Sequence, residues 1–301
     1  MGHVAGVRRG VAERAVLLAA AAATLLVFGR AGFAQKNGLA FWEPDPGHVD
    51  PVLGLTPKND ALRYDVLRRS FDNFECKTGL MQEQAAGKHG AKNLLCTLPG
   101  ETAETIFVLA RYDDRGRGYP TWADALMLPL LYHALQAQRR HYTFIFAALD
   151  GNEGEKVFFH ARHQPGQAQP VADFVLDNLG MGPPRLFVTH PKRRSKVSSN
   201  QSPQELMWDE ATETSQLMGV PSPSAGRVLS YNDAMILNQQ YEQVTQSTLV
   251  YEVADSPAGV IYSEIGMPVN PESFHQDFDF LAWFLCGIDV KLKPAQQAAT
   301  R

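Results

Sequence analysis

The chain has 301 residues, 45% of them hydrophobic and 20% charged, which is enough apolar surface to build one sizeable core and too much for long disorder. Its formal net charge is -4, and its densest basic run, Lys192-Arg193-Arg194, is a solvated loop rather than a nucleic-acid-binding face. No nucleic-acid partner is therefore expected.

Residues 1–34 stand apart from the rest. Arg8, Arg9 and Arg14 precede an apolar run over residues 15–29, and Arg30-Ala31-Gly32-Phe33-Ala34 follows with small residues where a signal peptidase looks. The segment reads as a secretory signal peptide cut after Ala34, which makes the protein secreted or periplasmic. The run is short against the ~20 residues of a membrane helix. The rival reading is an uncleaved N-terminal anchor, the one route by which this chain would meet a membrane. Arg8-Arg9 has poor flanks for twin-arginine export.

Residues 35–60 are rich in Pro, Gly and Asp and read as an irregular arm. Over residues 61–74, Leu62, Val66, Leu67 and Phe71 fall at helical spacing. Cys76 and Cys96 follow; in an oxidising compartment they are expected to form a disulfide, with free buried thiols as the alternative. Residues 93–98 and 105–111 read as two neighbouring strands joined by Pro99-Gly100-Glu101. A Gly-rich polar loop spans 113–120. Residues 122–140 then read as a long helix with a buried stripe of Leu126, Leu130, Leu131, Ala134 and Leu135, in which Pro129 removes one backbone donor.

Residues 142–149 form a strand apolar on both faces, hence central. Further strands are expected at 171–179, 186–189 and 248–253, and helices at 204–218 and 274–286, where Cys286 belongs to the core. Strands alternating with helices predict an α/β layer architecture over residues 61–290, with a tail at 291–301.

Sites in such sheets collect in the loops after strand C-termini. Three of these loops, at residues 111–120, 150–155 and 177–182, put several acids and one Arg, Arg111, at strand ends. Taken alone, these residues allow either an acid pair for proton transfer or ordinary surface carboxylates.

The runs Asn93-Leu94-Leu95-Cys96-Thr97-Leu98-Pro99-Gly100 and Phe107-Val108-Leu109-Ala110-Arg111-Tyr112-Asp113, residues 122–135 and 144–153, and Asp177-Asn178-Leu179-Gly180 together resemble the co-catalytic zinc aminopeptidases. That is metallopeptidase family twenty-eight, which includes the glutaminyl cyclases. The resemblance covers residues 60–290 and rests on order and spacing. It implies a single domain with a central mixed, mostly parallel sheet flanked by helices. It also implies two zinc ions held by five side chains, with a Glu as general base on a bridging water.

Carried over position by position, the motifs depart from that pattern. The His-x-Asp motif is Arg111-Tyr112-Asp113, so Asp113 stands at the orienting position and Arg111 at that of a ligand His. Pro120 stands where a bridging Asp belongs. The Glu-Glu motif is Asn152-Glu153, an amide at the general-base position followed by a residual ligand. Asp177 is the second residual ligand, and Tyr262 takes the place of a late His. Three of five ligands and the base are lost.

Arg111 is permanently charged and has no lone pair, so it is expected to replace the metal as counter-charge, pairing with Asp177, Glu153 or Asp113. The resemblance therefore implies a degenerate member without cofactor that binds a peptide or protein partner. The alternative is an active hydrolase with a rearranged, single-zinc site held in part by Glu153 and Asp177.

Other signals are weaker. His160-Ala161-Arg162-His163 reads as surface histidines, His275 as a partly exposed residue, and His190, after a strand, as a candidate binding residue. Gly116-Arg117-Gly118 lacks the context of a dinucleotide site. Asn200-Gln201-Ser202 is a glycosylation sequon followed by Pro203. There is no His-Glu-x-x-His and no Gly-x-Ser-x-Gly.

Overall fold

The computed structural model describes residues 32–36, 39–86, 90, 92–113, 119–162, 170–188, 203–225, 250–254 and 269–292. Two antiparallel strands open it, β1 (Gly32–Lys36) and β2 (Leu39–Glu43), in register from Gly32 opposite Glu43 to Lys36 opposite Leu39. Helix α1 (Pro46–Gly54) follows. The Asp45 carboxylate starts it by accepting from the Gly47 amide at 2.9 Å, and Pro46 sits where a missing N–H costs nothing.

Residues 39–54 are thus regular structure, which corrects the expectation of an irregular arm there. Phe41 is 1% exposed and packs edge-on against Trp283 and Phe278, with ring centroids 5.0 and 6.1 Å away. Val49, Val52 and Leu53 are buried beside it. Burial of these few apolar residues outweighs the turn-forming composition around them.

Helix α2 (Asp60–Asn73) is capped by Asn59, which accepts from the Leu62 amide at 2.9 Å, and it buries Val66, Leu67 and Phe71. Leu62, counted in the apolar stripe, is instead 40% exposed on the first turn.

The remaining strands are β3 (Met81–Ala85), β4 (Lys92–Leu98), β5 (Thr105–Arg111), β6 (Thr143–Leu149), β7 (Ala172–Asp177), β8 (Arg185–Val188), β9 (Ser224–Ala225) and β10 (Val250–Ala254). They form one eight-stranded sheet in the order β3-β4-β6-β5-β7-β10-β8-β9. Its centre, β6-β5-β7-β10, is parallel; β4 runs antiparallel to β6, β3 to β4, and β8 to β10. The chain is an α/β domain with a mixed sheet flanked by helices.

The helices on this sheet are α3 (Tyr119–Leu135), α4 (Gly151–Arg162), α5 (Pro203–Met218) and α6 (Pro271–Lys291). On β5, Ile106, Val108 and Ala110 face the large core with α3 and α6, while Phe107 and Leu109 face a second cluster with Phe158 and Phe159 of α4. Both faces of the strand are covered, as its unbroken apolar run requires.

Helix α3 is buried on every side from Trp122 to Leu131, so it has no single stripe. It ends earlier than residue 140 because Arg140 turns back on it. The Arg140 Nε donates to the Leu135 carbonyl at 2.7 Å and Nη2 to the Ala40 carbonyl at 2.8 Å.

Cys76 and Cys96 form a disulfide that ties the turn after α2 to β4 and encloses β3, and Cys286 is a buried free thiol. A loop of that size contributes ~3 kcal/mol in the chain-entropy picture. Among the described residues no helix is long and apolar enough to cross a membrane.

Candidate active site

Three turns leave the C-terminal ends of the parallel strands β5, β6 and β7. The first follows β5. Arg111 Nε donates to Asp113 Oδ1 at 2.9 Å and Nη2 donates to Asp113 Oδ2 at 3.1 Å, a two-pronged pair that matches the planar guanidinium to the planar carboxylate. Glu155 Oε1 lies 3.9 Å from the same Nε. Arg111 is 6% exposed, Asp113 2% and Glu155 0%, so the cluster lies out of water.

The second turn joins β6 to α4. Asn93 on β4 holds it from the side: its Oδ1 accepts from the Asp150 amide at 3.0 Å, and its Nδ2 donates to the Gly154 carbonyl at 2.8 Å. The packing is close enough that a Cβ on Gly154 would fall 2.2 Å from Asn93 Oδ1. The Tyr112 hydroxyl sits 2.6 Å from the Lys92 carbonyl and 3.0 Å from Asp150 Oδ2. Burial raises the Asp150 carboxyl above its ordinary range; the Tyr112 O–H opposes that rise, and the charges of Asp60 and Asp113 add to it.

The third turn follows β7 and is held by two buried acids. Asp124 of α3 accepts from the amides of Asn178 and Leu179 at 3.1 and 2.8 Å, and Asp277 of α6 accepts from the Gly180 amide at 2.6 Å. Asn178 and Gly180 both have positive φ, 55° and 78°. A side chain on Gly180 would also meet Val269 Cγ1 at 2.2 Å. Asp124 and Asp277 belong to none of the motifs in the sequence. Their signal was an acid at an interior position of an apolar helix, where only a buried partner explains it.

Of the residues singled out from sequence, Arg111 and Asp113 come together. Glu153 does not belong to the buried cluster: it is 55% exposed and pairs with Lys156 at 2.8 Å, and the acid that α4 delivers to Arg111 is Glu155. Asp177 ends β7, partly buried. Pro120 is the second residue of α3 and Asn152 lies in the first turn of α4. His190, Tyr262, His163 and the sequon at Asn200 lie outside the described residues. His160 is exposed on α4, which is a helix rather than the loop expected at 150–155. His275 Nε2 pairs with Asp50 Oδ1 at 2.7 Å, joining α6 to α1.

No protein-family model matches the chain, and no curated protein matches it. Solved structures do. LapA of Legionella pneumophila superposes with a TM-score of 0.56 at 12% identity, over 78% of this chain and 68% of that one. The glutaminyl cyclase of Macrostomum lignano gives 0.55 at 13%, over 95% and 94%, and that of Fimbriiglobus ruber 0.56 at 14%, over 87% and 99%. The chain has the fold of zinc exopeptidases and glutaminyl cyclases. Against other peptidases with which it aligns, it spans 43%, 47% and 49% of their length.

One aligned structure is a Zn-dependent exopeptidase of Parabacteroides distasonis; at the positions the resemblance assigns to zinc ligands, this chain has Arg111, Pro120, Glu153 and Asp177 among the described residues. A guanidinium offers no lone pair and repels a dication. Both oxygens of Asp113 are engaged by it. Glu153 points to solvent, and proline at 120 has no donor atom in its side chain. Among the described residues, no group of three or more His, Cys, Asp or Glu is placed to hold a metal ion.

Proposed function

We propose that this is an exported, zinc-aminopeptidase-like protein without peptidase activity, whose work is to bind a peptide or protein partner. The observation that carries the reading is the buried Arg111, clasped by Asp113 and approached by Glu155 at a strand end where the resemblance calls for a metal-binding His. An internal cation compensates the acids that a metal centre would otherwise need. On this reading no zinc is required, and Asn152 at the general-base position has no useful basicity. Export follows from the leader at residues 1–34 and accords with the Cys76–Cys96 disulfide.

The test is metal analysis of the purified protein together with turnover of aminoacyl-anilides, with and without added zinc. The expected result is sub-stoichiometric zinc and no turnover above the uncatalysed rate. Two tightly held zinc ions, or zinc-dependent release of the anilide, would overturn the proposal in favour of a working hydrolase.

A further inference from the structure

We propose that the export leader is removed at the Ala31–Gly32 bond, so that the mature protein begins with the first residue of β1. This rests on the reading of residues 1–34 as a leader and moves the leader's end. Beyond the apolar run, two bonds meet the small-x-small requirement of a signal peptidase: the one after Gly29-Arg30-Ala31 and the one after Gly32-Phe33-Ala34. The strand pairing separates them.

β1 pairs with β2 at five positions, Gly32 with Glu43, Phe33 with Trp42, Ala34 with Phe41, Gln35 with Ala40 and Lys36 with Leu39. A cut after Ala34 removes the first three partners and leaves only the two pairs beside the turn. Residues 41–43 would then present unpaired backbone groups along an edge that carries Phe41 and Trp42, a template for pairing with another copy. β2 is built into the domain. The Ala40 carbonyl accepts from buried Arg140 at 2.8 Å, and Phe41 is 1% exposed against α6. A cut after Ala31 leaves the whole ladder in place.

The chemistry of the new terminus fits as well. Water adds across one peptide bond, leaving a carboxylate on Ala31 with the departing leader and an ammonium on Gly32. Gly32 stands opposite Glu43 in the ladder. Glu43 is also the acid whose charge, after burial, pushes up the pKa of Asp279. The α-ammonium therefore adds a positive charge at the ladder position opposite Glu43.

The experiment expresses the full chain with its own leader in a secretion-competent bacterial host and reads the N-terminal peptide of the exported product by mass spectrometry. Gly32 as the first residue is expected. Gln35 as the first residue would overturn the inference and leave export standing; an uncut chain would overturn both.

Two variants read the same question on the precursor, where folding does not enter. Ala31→Tyr and Ala34→Tyr each place an oversized side chain before one of the two bonds. Ala34→Tyr should be processed like the wild type with Gly32 first, and Ala31→Tyr should lower the fraction that begins at Gly32 ~tenfold. The opposite pattern would place the cut after Ala34 and sink the proposal.

Discussion

Arg111 and Asp113 are two residues apart, yet their side chains meet face to face, with Nε 2.9 Å from Oδ1 and Nη2 3.1 Å from Oδ2. Both are sealed from water, and Glu155 adds a second carboxylate 3.9 Å away. Removing the cation alone would strand two acids in the interior. Arg111→Leu should therefore cost ~3–5 kcal/mol in urea unfolding. Arg111→Lys should recover part of that loss, because it keeps the charge but not the two-pronged geometry. A loss below ~1 kcal/mol for Arg111→Leu would mean the pair behaves as a surface ion pair.

Rebuilding two ligand positions should not rebuild an enzyme. Arg111→His with Pro120→Asp leaves Asn152 and Tyr262 at the positions that the resemblance gives to the base and a further ligand. Turnover of an aminoacyl-anilide in the presence of zinc should stay at background. Robust turnover in that double variant would show that the motif correspondences at these loops are out of register.

The turn after β7 depends on acids from two helices. Asp124→Ala removes the acceptor for two amides, Asn178 and Leu179, and leaves both donors without their bonds. The expected cost is ~2–4 kcal/mol. Hydrogen exchange localises it: the amides of Asn178 and Leu179 should exchange far faster, while those of β5 change only with global stability. Unchanged exchange at those two amides would show that other groups hold the turn.

Asp279 gives a pH signature. Burial, then the charge of Glu43, raise its carboxyl to about 6, and His275 opposes the rise. In the unfolded chain an Asp titrates near ~3.9. Between those values the folded state holds a proton that the unfolded state has released, so stability falls as pH rises through that window and the penalty is fully present above it. Asp279→Asn should stabilise the protein by about 1 kcal/mol at pH 7.5, after allowing for solvent screening of a partly exposed group, and by nothing at pH 4. Urea midpoints of both proteins at the two pH values check the sign.

The alternation of strand and helix and the limits of β5 were legible because long apolar runs fix their own structure. The Cys76–Cys96 bridge was legible from the spacing of the two cysteines and the leader-like composition of residues 1–34. Three things were hidden. The polar sequence of β3 has no alternation, and it becomes a strand through its pairing with β4 inside the disulfide loop. β2 and α1 lie in a Pro- and Gly-rich stretch and are fixed by burial of Phe41, Val49 and Val52. Helix α4 begins with two glycines among acids and reads as a loop.

Had α4 been read as a helix, its spacing would have named the acid at the site. Glu155 falls on one face with Phe158 and Phe159, whereas Glu153, Lys156 and His160 share the other. The resemblance points to Glu153, whereas the helical periodicity points to Glu155. Asp124 was hidden for a related reason, since its partners are backbone amides far along the chain.

Asn93 grips the β6-to-α4 turn at both ends, through the Asp150 amide and the Gly154 carbonyl. The β6-to-α4 bend is thereby shaped by side-chain bonds from a neighbouring strand. Substitutions at 152, inside that bend, can therefore accumulate without removing the two bonds that hold it, whereas Arg111 belongs to the turn after β5.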